Sequence, residues 1–254
     1  MACRASFVRT NDPDTHYSFQ RVARYSHMPS HTLSEARDIR ARRPVELKRT
    51  EQLRAQETRA AILNAALTEF SSKGFEVASI RSIAERIGMQ HPLVTYHFRS
   101  KEILWQAVAE YVFERVRQER DASLSSLGPA SAVDRLKLAY RALFRFTVAF
   151  PEFHRFILQE SLGSSSRLQW LADAFLKPLI GWLLPQIRAA QEEHALPNVE
   201  PIVFHYMLIS LTSTLSSFGP EFSATSDLSP SDPALAEEYW RTVEQLVFGA
   251  FASR

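Results

Sequence analysis

The stretch IGMQHPLVTYHFRSKE, residues 87–102, decides how this chain folds. Gly88 supplies a turn, Pro92 suits the first turn of a short helix, and Ser100 is placed to cap the helix that follows. Helical spacing puts Val94 and Phe98 on one side and leaves His91, Leu93, Thr95, Tyr96 and His97 on the others. A helix that only packs does not present such a mixture of hydrogen-bonding side chains. A helix facing the floor and walls of a DNA groove does.

Upstream, SIRSIAERIG (residues 79–88) reads as a second short helix. Ser79 is its N-cap, and Ile80, Ile83, Ala84 and Ile87 form its inner face. Before it, Ile62, Leu63, Ala66, Leu67 and Phe70 form the stripe of a supporting helix from residue 57, ended by Gly74 as a left-handed cap. Two short helices joined by a glycine turn behind one supporting helix make a helix-turn-helix. Met89, Val94 and Phe98 complete its inner packing, with Phe70 and Phe75 beneath. Over residues 79–101 Arg81, Arg86, Arg99 and Lys101 stand against Glu85 alone, a local charge of +3 in a chain whose formal net charge is only +2. The basic footprint is therefore local.

The stretch SIRSIAERIGMQHPLVTYHFRSKEILWQAV resembles the DNA-binding region of the tetracycline-repressor-like (TetR) family of bacterial transcription regulators. Gly74, Ser79, Ile83, Ala84, Gly88, His97, Phe98, Lys101, Glu102 and Leu104 carry the likeness at the family's spacing, within residues 57–116. The resemblance implies a homodimer that binds a near-palindromic double-stranded DNA operator and is released by a small, largely apolar effector. It implies phosphate contacts from Ser79, Tyr96, His97 and Lys101, and base contacts from Arg81, His91, Leu93 and Thr95. Gln90 stands where the family often has a capping serine, which makes it a weaker cap and a candidate base reader. Thr95 stands where a tyrosine is common, with Tyr96 following.

The rest of the chain reads as further helices, so the expected fold is all-α. An N-terminal helix-turn-helix domain (residues 55–101) precedes a ligand-binding and dimerisation domain (residues 102–254). After the long helix from residue 101, helices are expected over residues 132–149, 151–162, 167–193 (kinked at Pro178 and Pro185), 201–218 and 233–251. Kinked helices leave cavities between them, and the aromatic and polar candidates to line one are Phe144, His154, Gln159, Trp170, Phe175, Trp182, His205 and Tyr206. Apolar residues alternate with Ser and Thr over residues 201–218, and Leu235, Tyr239, Val243 and Leu246 form a final stripe. Ile202, Tyr206, Ile209 and that stripe are the expected dimer interface, an isologous four-helix bundle.

Composition narrows the classes. Residues 1–54 are rich in arginine without a sustained apolar period and read as a disordered basic extension. Such a segment is a solvated tail, upstream sequence ahead of a start at Met28, or an arm touching DNA. Arg4, Arg9, Asp12 and Asp14 interrupt any signal-peptide core, and the lone Cys3 suits a reducing cytoplasm. Residues 201–219 lack Asp, Glu, Lys and Arg, yet six are Ser or Thr and no Lys or Arg clamps either end, so a buried helix is expected rather than a membrane span. No nucleophile elbow, phosphate-cradling glycine loop or zinc spacing is present, so no enzyme, cofactor or metal is expected. The competing class is a helical adaptor that uses the same fold for protein contacts. It would not need Arg81, Arg99 and Lys101 around one helix.

Overall fold

The computed structural model describes residues 36–125 and 127–249, and every element among them is helical. The chain divides into two compact units, residues 1–50 and 51–254. Helix α1 spans Ala36–Val77. From residue 36 onward the expected disordered extension is part of α1, where Ala, Arg, Glu, Leu, Lys and Gln favour helix and Pro44 does not. Residues 1–35 of that extension lie outside the described residues.

Near its end α1 breaks at Gly74, whose φ of 73° and ψ of 170° suit glycine alone. Then come α2 (Ile80–Arg86), α3 (His91–His97) and α4 (Lys101–Ser125). Gly88, at φ 64°, turns the chain between α2 and α3. Ser79 accepts a hydrogen bond from the Arg81 N–H at 3.2 Å, and Ser100 accepts one from Ile103 at 3.1 Å, so both expected serine caps are in place.

Beyond them lie α5 (Ala132–Ala149), α6 (Pro151–Ser161), α7 (Ser166–Leu171) and α8 (Lys177–Glu192). Both expected kink positions, Pro178 and Pro185, lie within α8. The single break is a π-helical turn at Ala172–Leu176, where the Lys177 N–H reaches back to the Ala172 carbonyl. Pro178 would drive its ring into the carbonyl four residues earlier, and widening the ladder just ahead of it relieves that clash. Pro185 lies inside α8 without interrupting it. After α9 (Pro201–Ser217) comes a short α10 (Gly219–Thr225) that the sequence pattern does not announce, and α11 (Pro233–Glu244) runs into a π-helical segment, Gln245–Gly249. No single described helix is long and apolar enough to cross a membrane; α9 and α10 would pass only as a pair, and they are bent by 60°.

Two buried clusters hold residues 51–254 together. The first joins α1–α4 to α6 and α7: Ile62, Phe70, Ile83, Val94 and Phe98 continue into Trp105, whose ring lies 5.2 Å from Phe156 and 5.8 Å from Trp170. The second joins α5, α8, α9 and α11 through Leu136, Tyr140, Phe144, Ile187, Phe204 and Trp240. The apolar core of the helix-turn-helix is thus continuous with that of the helices beyond it. Its packing is shared with α6 and α7.

Candidate nucleic-acid interface and ligand cavity

On α3 the inward side is Val94, fully buried, and Phe98 caps the helix from below. The outward side carries what the sequence analysis expected to find there. Tyr96 is 82% exposed and Leu93 41%, large apolar surface that no packing role explains. His91 and Gln90 are exposed, His97 is half-buried with its ring 5.7 Å from that of Tyr96, and Arg81 projects from α2. Gln90 makes no side-chain cap. Thr95 donates back to the His91 carbonyl at 3.2 Å, so its hydroxyl is already engaged within α3.

The cations around α3 are not all loose. Arg81 pairs with Glu85 at 3.2 Å, an exposed contact of little energy. The Lys101 ammonium donates to the Glu76 and Ala78 carbonyls at 3.3 and 3.2 Å and sits 4.5 Å from the centre of the Phe75 ring. Two of its three N–H groups therefore hold the α1–α2 connection, a role that the expectation of a plain phosphate contact did not include. Arg86 reaches Glu69 at 3.2 Å, and Lys73 reaches the same carboxylate at 2.7 Å. Glu69 is fully buried. Burial alone would raise its pKa, but the hydrogen bonds from Lys73, Arg86 and Ser82 outweigh that and hold it below the usual carboxylate range. This clamp between α1 and α2 was not read from the sequence, because an acid inside an apolar stripe gives no sign of a partner 17 residues away.

A cavity of about 660 Å³ opens among α4, α5, α6, α7, the π-helical turn, α8 and α9. Phe113, Val116, Phe153, Ile157, Leu168 and Ile209 give it apolar walls; His154, His205 and Tyr206 also line it. Its His205 ring is buried and bonded through Nδ1 to the Tyr140 hydroxyl at 2.8 Å. Desolvation lowers the His205 pKa to about 4 and lowers that of His154 as well, while burial raises that of Tyr140.

Of the eight side chains expected to line a cavity, these three do. The other five lie elsewhere. Phe144 is buried between Tyr239 and Trp240, stacked at 5.5 Å on each. Gln159 turns toward α1, where its Nε2 donates to the Ser71 carbonyl at 3.5 Å and its Oε1 lies beside Gly74. Trp170 fills the first cluster against Trp105. Phe175 stacks on Phe113 at 4.6 Å, and with Trp182 it borders a separate, charged groove alongside Arg117 and Arg120. For Phe144 and Trp170, aromatic size favoured core packing over cavity lining. Among the described residues no three His, Cys, Asp or Glu side chains converge as a metal would require.

Residues 62–108 match the family described as "Bacterial regulatory proteins, tetR family". The transcriptional repressor NicS of Pseudomonas putida is 30% identical over 175 residues, 65% of this chain and 81% of that protein. The transcriptional regulator RutR of Escherichia coli is 24% identical over 194 residues, 76% of this chain and 90% of that protein. A solved structure, the putative transcriptional regulator SCO4942 from Streptomyces coelicolor, is 25% identical and superposes with a TM-score of 0.56 over 75% of this chain and 98% of its own. The chain belongs to the tetR family.

As a tetR-family regulator the chain has a helix-turn-helix for DNA and a helical region for a ligand, and the positions expected for the dimer interface divide between inside and outside. Tyr206 is exposed, Leu246 is 70% exposed, and Ile202 and Leu235 are half-buried. Three others face inward, Val243 wholly and Ile209 and Tyr239 in part. Val243 is buried in the second cluster, Ile209 lines the cavity, and Tyr239 stacks on Phe144 while its hydroxyl donates to the Leu211 carbonyl at 2.7 Å. The inner face of α11 is Ala236, Trp240 and Val243 instead. Val203 and Met207, 47% and 54% exposed, join Tyr206 in an outward apolar patch on α9 that the sequence reading did not single out.

Proposed function

We propose that this tetR-family protein is a cytoplasmic repressor. As a homodimer it binds a near-palindromic operator through α3 and leaves it when a small, largely apolar effector enters the cavity. One observation carries the reading: the buried cluster beneath Leu93 and Tyr96 includes Phe113, Val116 and Phe153, which are also walls of the cavity. The relative from P. putida is by name a repressor, which supports that direction.

In this reading Arg81, Gln90, His91, Leu93 and Thr95 meet base edges, with Leu93 against a thymine methyl group and Arg81 forked onto guanine. Ser79, Tyr96, His97 and the remaining N–H of Lys101 meet phosphates. The outward faces of α9 and of the π-helical segment after α11, with Val203, Tyr206, Met207 and Leu246, meet a second copy. The test is selection of bound sequences from a random DNA pool by wild type, His91→Ala and Leu93→Ala. The variants lose discrimination at symmetric positions of the two half-sites, about 1–3 kcal/mol for each base contact removed. Identical selected motifs from all three proteins overturn the reading.

A further inference from the structure

We propose that the cavity takes an uncharged molecule bearing a carbonyl-type hydrogen-bond acceptor, and that the Nε2–H of His205, fixed by Tyr140, is the donor that receives it. This rests on the cavity being a ligand site, as above, and adds the chemistry that the ligand must have.

Charge is the first constraint. The cavity is lined by no Asp, Glu, Lys or Arg among the described residues. The nearest buried acid, Glu160, is held by Arg167 at 3.2 Å and by Ser165 at 3.0 Å, and it is not a lining residue. A carboxylate or an ammonium entering this space would lose its hydration and find no countercharge, which is strongly unfavourable.

Next comes the supply of hydrogen bonds. Three of the six lining hydroxyls donate to the backbone: Thr147 to the Thr212 carbonyl at 2.8 Å, Thr212 to that of Ile209 at 3.1 Å, and Ser161 to that of Ile157 at 3.0 Å. Ser165 donates to Glu160 and accepts from the Leu168 N–H. His205 differs. Tyr140 is fully buried, so its O–H needs an acceptor, and the one it reaches is His205 Nδ1 at 2.8 Å. With Nδ1 accepting, a neutral ring carries its proton on Nε2. The reverse tautomer would leave the buried tyrosine proton without a partner. No described residue is bonded to Nε2 and His205 is one of the residues lining the cavity, so in this proposal the free N–H serves whatever occupies that space. Burial keeps this imidazole neutral through the physiological range, with a pKa of about 4.

The test uses four probes of equal chain length (2-decanone, decane, decanoate and decylammonium) on the full-length protein. Binding is read by calorimetry, and release of a bound operator fragment by fluorescence anisotropy. In wild type the ketone binds about tenfold more tightly than the alkane and both ions, the order expected for one buried hydrogen bond and an uncompensated charge. His205→Leu abolishes the preference for ketone over alkane. His205→Gln restores a donor and retains part of it, and Tyr140→Phe, which frees the tautomer, reduces it. Circular dichroism establishes that each variant is folded before its preference is read. The proposal is overturned if decanoate or decylammonium binds as tightly as the ketone, if the ketone fails to bind at millimolar concentration, or if its advantage persists in His205→Leu. Binding with the expected preference but without release of DNA would support the cavity chemistry and refute the effector reading, so the two failures are distinguishable.

Discussion

Replacing Glu69 by Gln tests whether the buried clamp under α2 holds the helix-turn-helix in place. The carboxylate is fully buried and accepts from Lys73 at 2.7 Å and Arg86 at 3.2 Å. Removing one member of a buried ion pair ordinarily costs about 3–5 kcal/mol, because an unpaired charge stays behind. Here the side chains of Lys73 and Arg86 are 44% and 43% exposed, so water takes over what the carboxylate gives up. The loss is then that of two charge-assisted hydrogen bonds, partly offset because a neutral amide is easier to bury. That places the cost at about 2 kcal/mol, or a fall in Tm of roughly 4–8 °C for a chain of this size. The assay is thermal unfolding at fixed protomer concentration, since a dimer's Tm depends on it, with titration of a selected operator in parallel. Because Arg86 lies in the last turn of α2, DNA affinity falls together with stability. A Glu69→Gln protein within about 0.5 kcal/mol of wild type, the scatter of ordinary surface substitutions, refutes the clamp. The sign with pH follows from the depressed pKa. The stabilisation from Glu69 is present above the ordinary carboxylate value of 4.5 and is lost as pH falls through the lower folded value, and the variant lacks that acid limb.

Gly74→Ala puts a Cβ at a φ of 73° and 3.0 Å from Gln159 Oε1, so urea unfolding should show a loss of about 1–3 kcal/mol, mostly from the backbone because the glutamine end can turn away. Met207→Glu, on the exposed α9 patch, should give folded monomers in sedimentation, whereas Val243→Asp, buried against α5 and α9, should lose its helical circular dichroism instead. His205 has its pKa depressed from 6.5 to about 4, so the stability tied to its neutral form is present above pH 6.5 and is lost as pH falls from there toward 4. On the order of 3 kcal/mol disappears over that window, and His205→Gln should show a flatter stability profile between pH 6.5 and 4.

The helix-turn-helix was legible because every level of the sequence agrees there. The 3.6-residue period, the serines at 79 and 100 and the glycines at 74 and 88 each answer a separate physical demand, and the structure meets each one. The rest was hidden for reasons that can be named. Helix α11 and the π-helical segment after it have two apolar faces, and nothing local distinguishes Ala236, Trp240 and Val243, which pack inward, from Leu235 and Leu246, which do not. Glu69 and Arg86 meet only through the fold. A cavity is the space that packing leaves, so its walls could be guessed by residue type but not by position. His154, His205 and Tyr206 line it, while Phe144 and Trp170, which looked equally suitable, were drawn into the core by their size.

The shared first cluster has a mechanical consequence. Trp105, Phe113, Phe153 and Phe156 tie α4 and α6 to the helices that carry α3, and two of those four side chains are also cavity walls. Between α6–α7 and α1 the contact is polar as well: Arg167 holds Glu160 at 3.2 Å, reaches Glu76 at 3.2 Å and stacks 3.8 Å over Phe75, one residue after the broken helix at Gly74. Close-packed interiors transmit displacement because they have little free volume in which to absorb it. An occupant that moved Phe113 or Phe153 would therefore have to shift either the α6–α7 pair or the helix-turn-helix against it. A ligand alters DNA affinity only by binding the two arrangements unequally, and side chains that belong to both the cavity wall and the DNA-binding core are where that inequality is expressed.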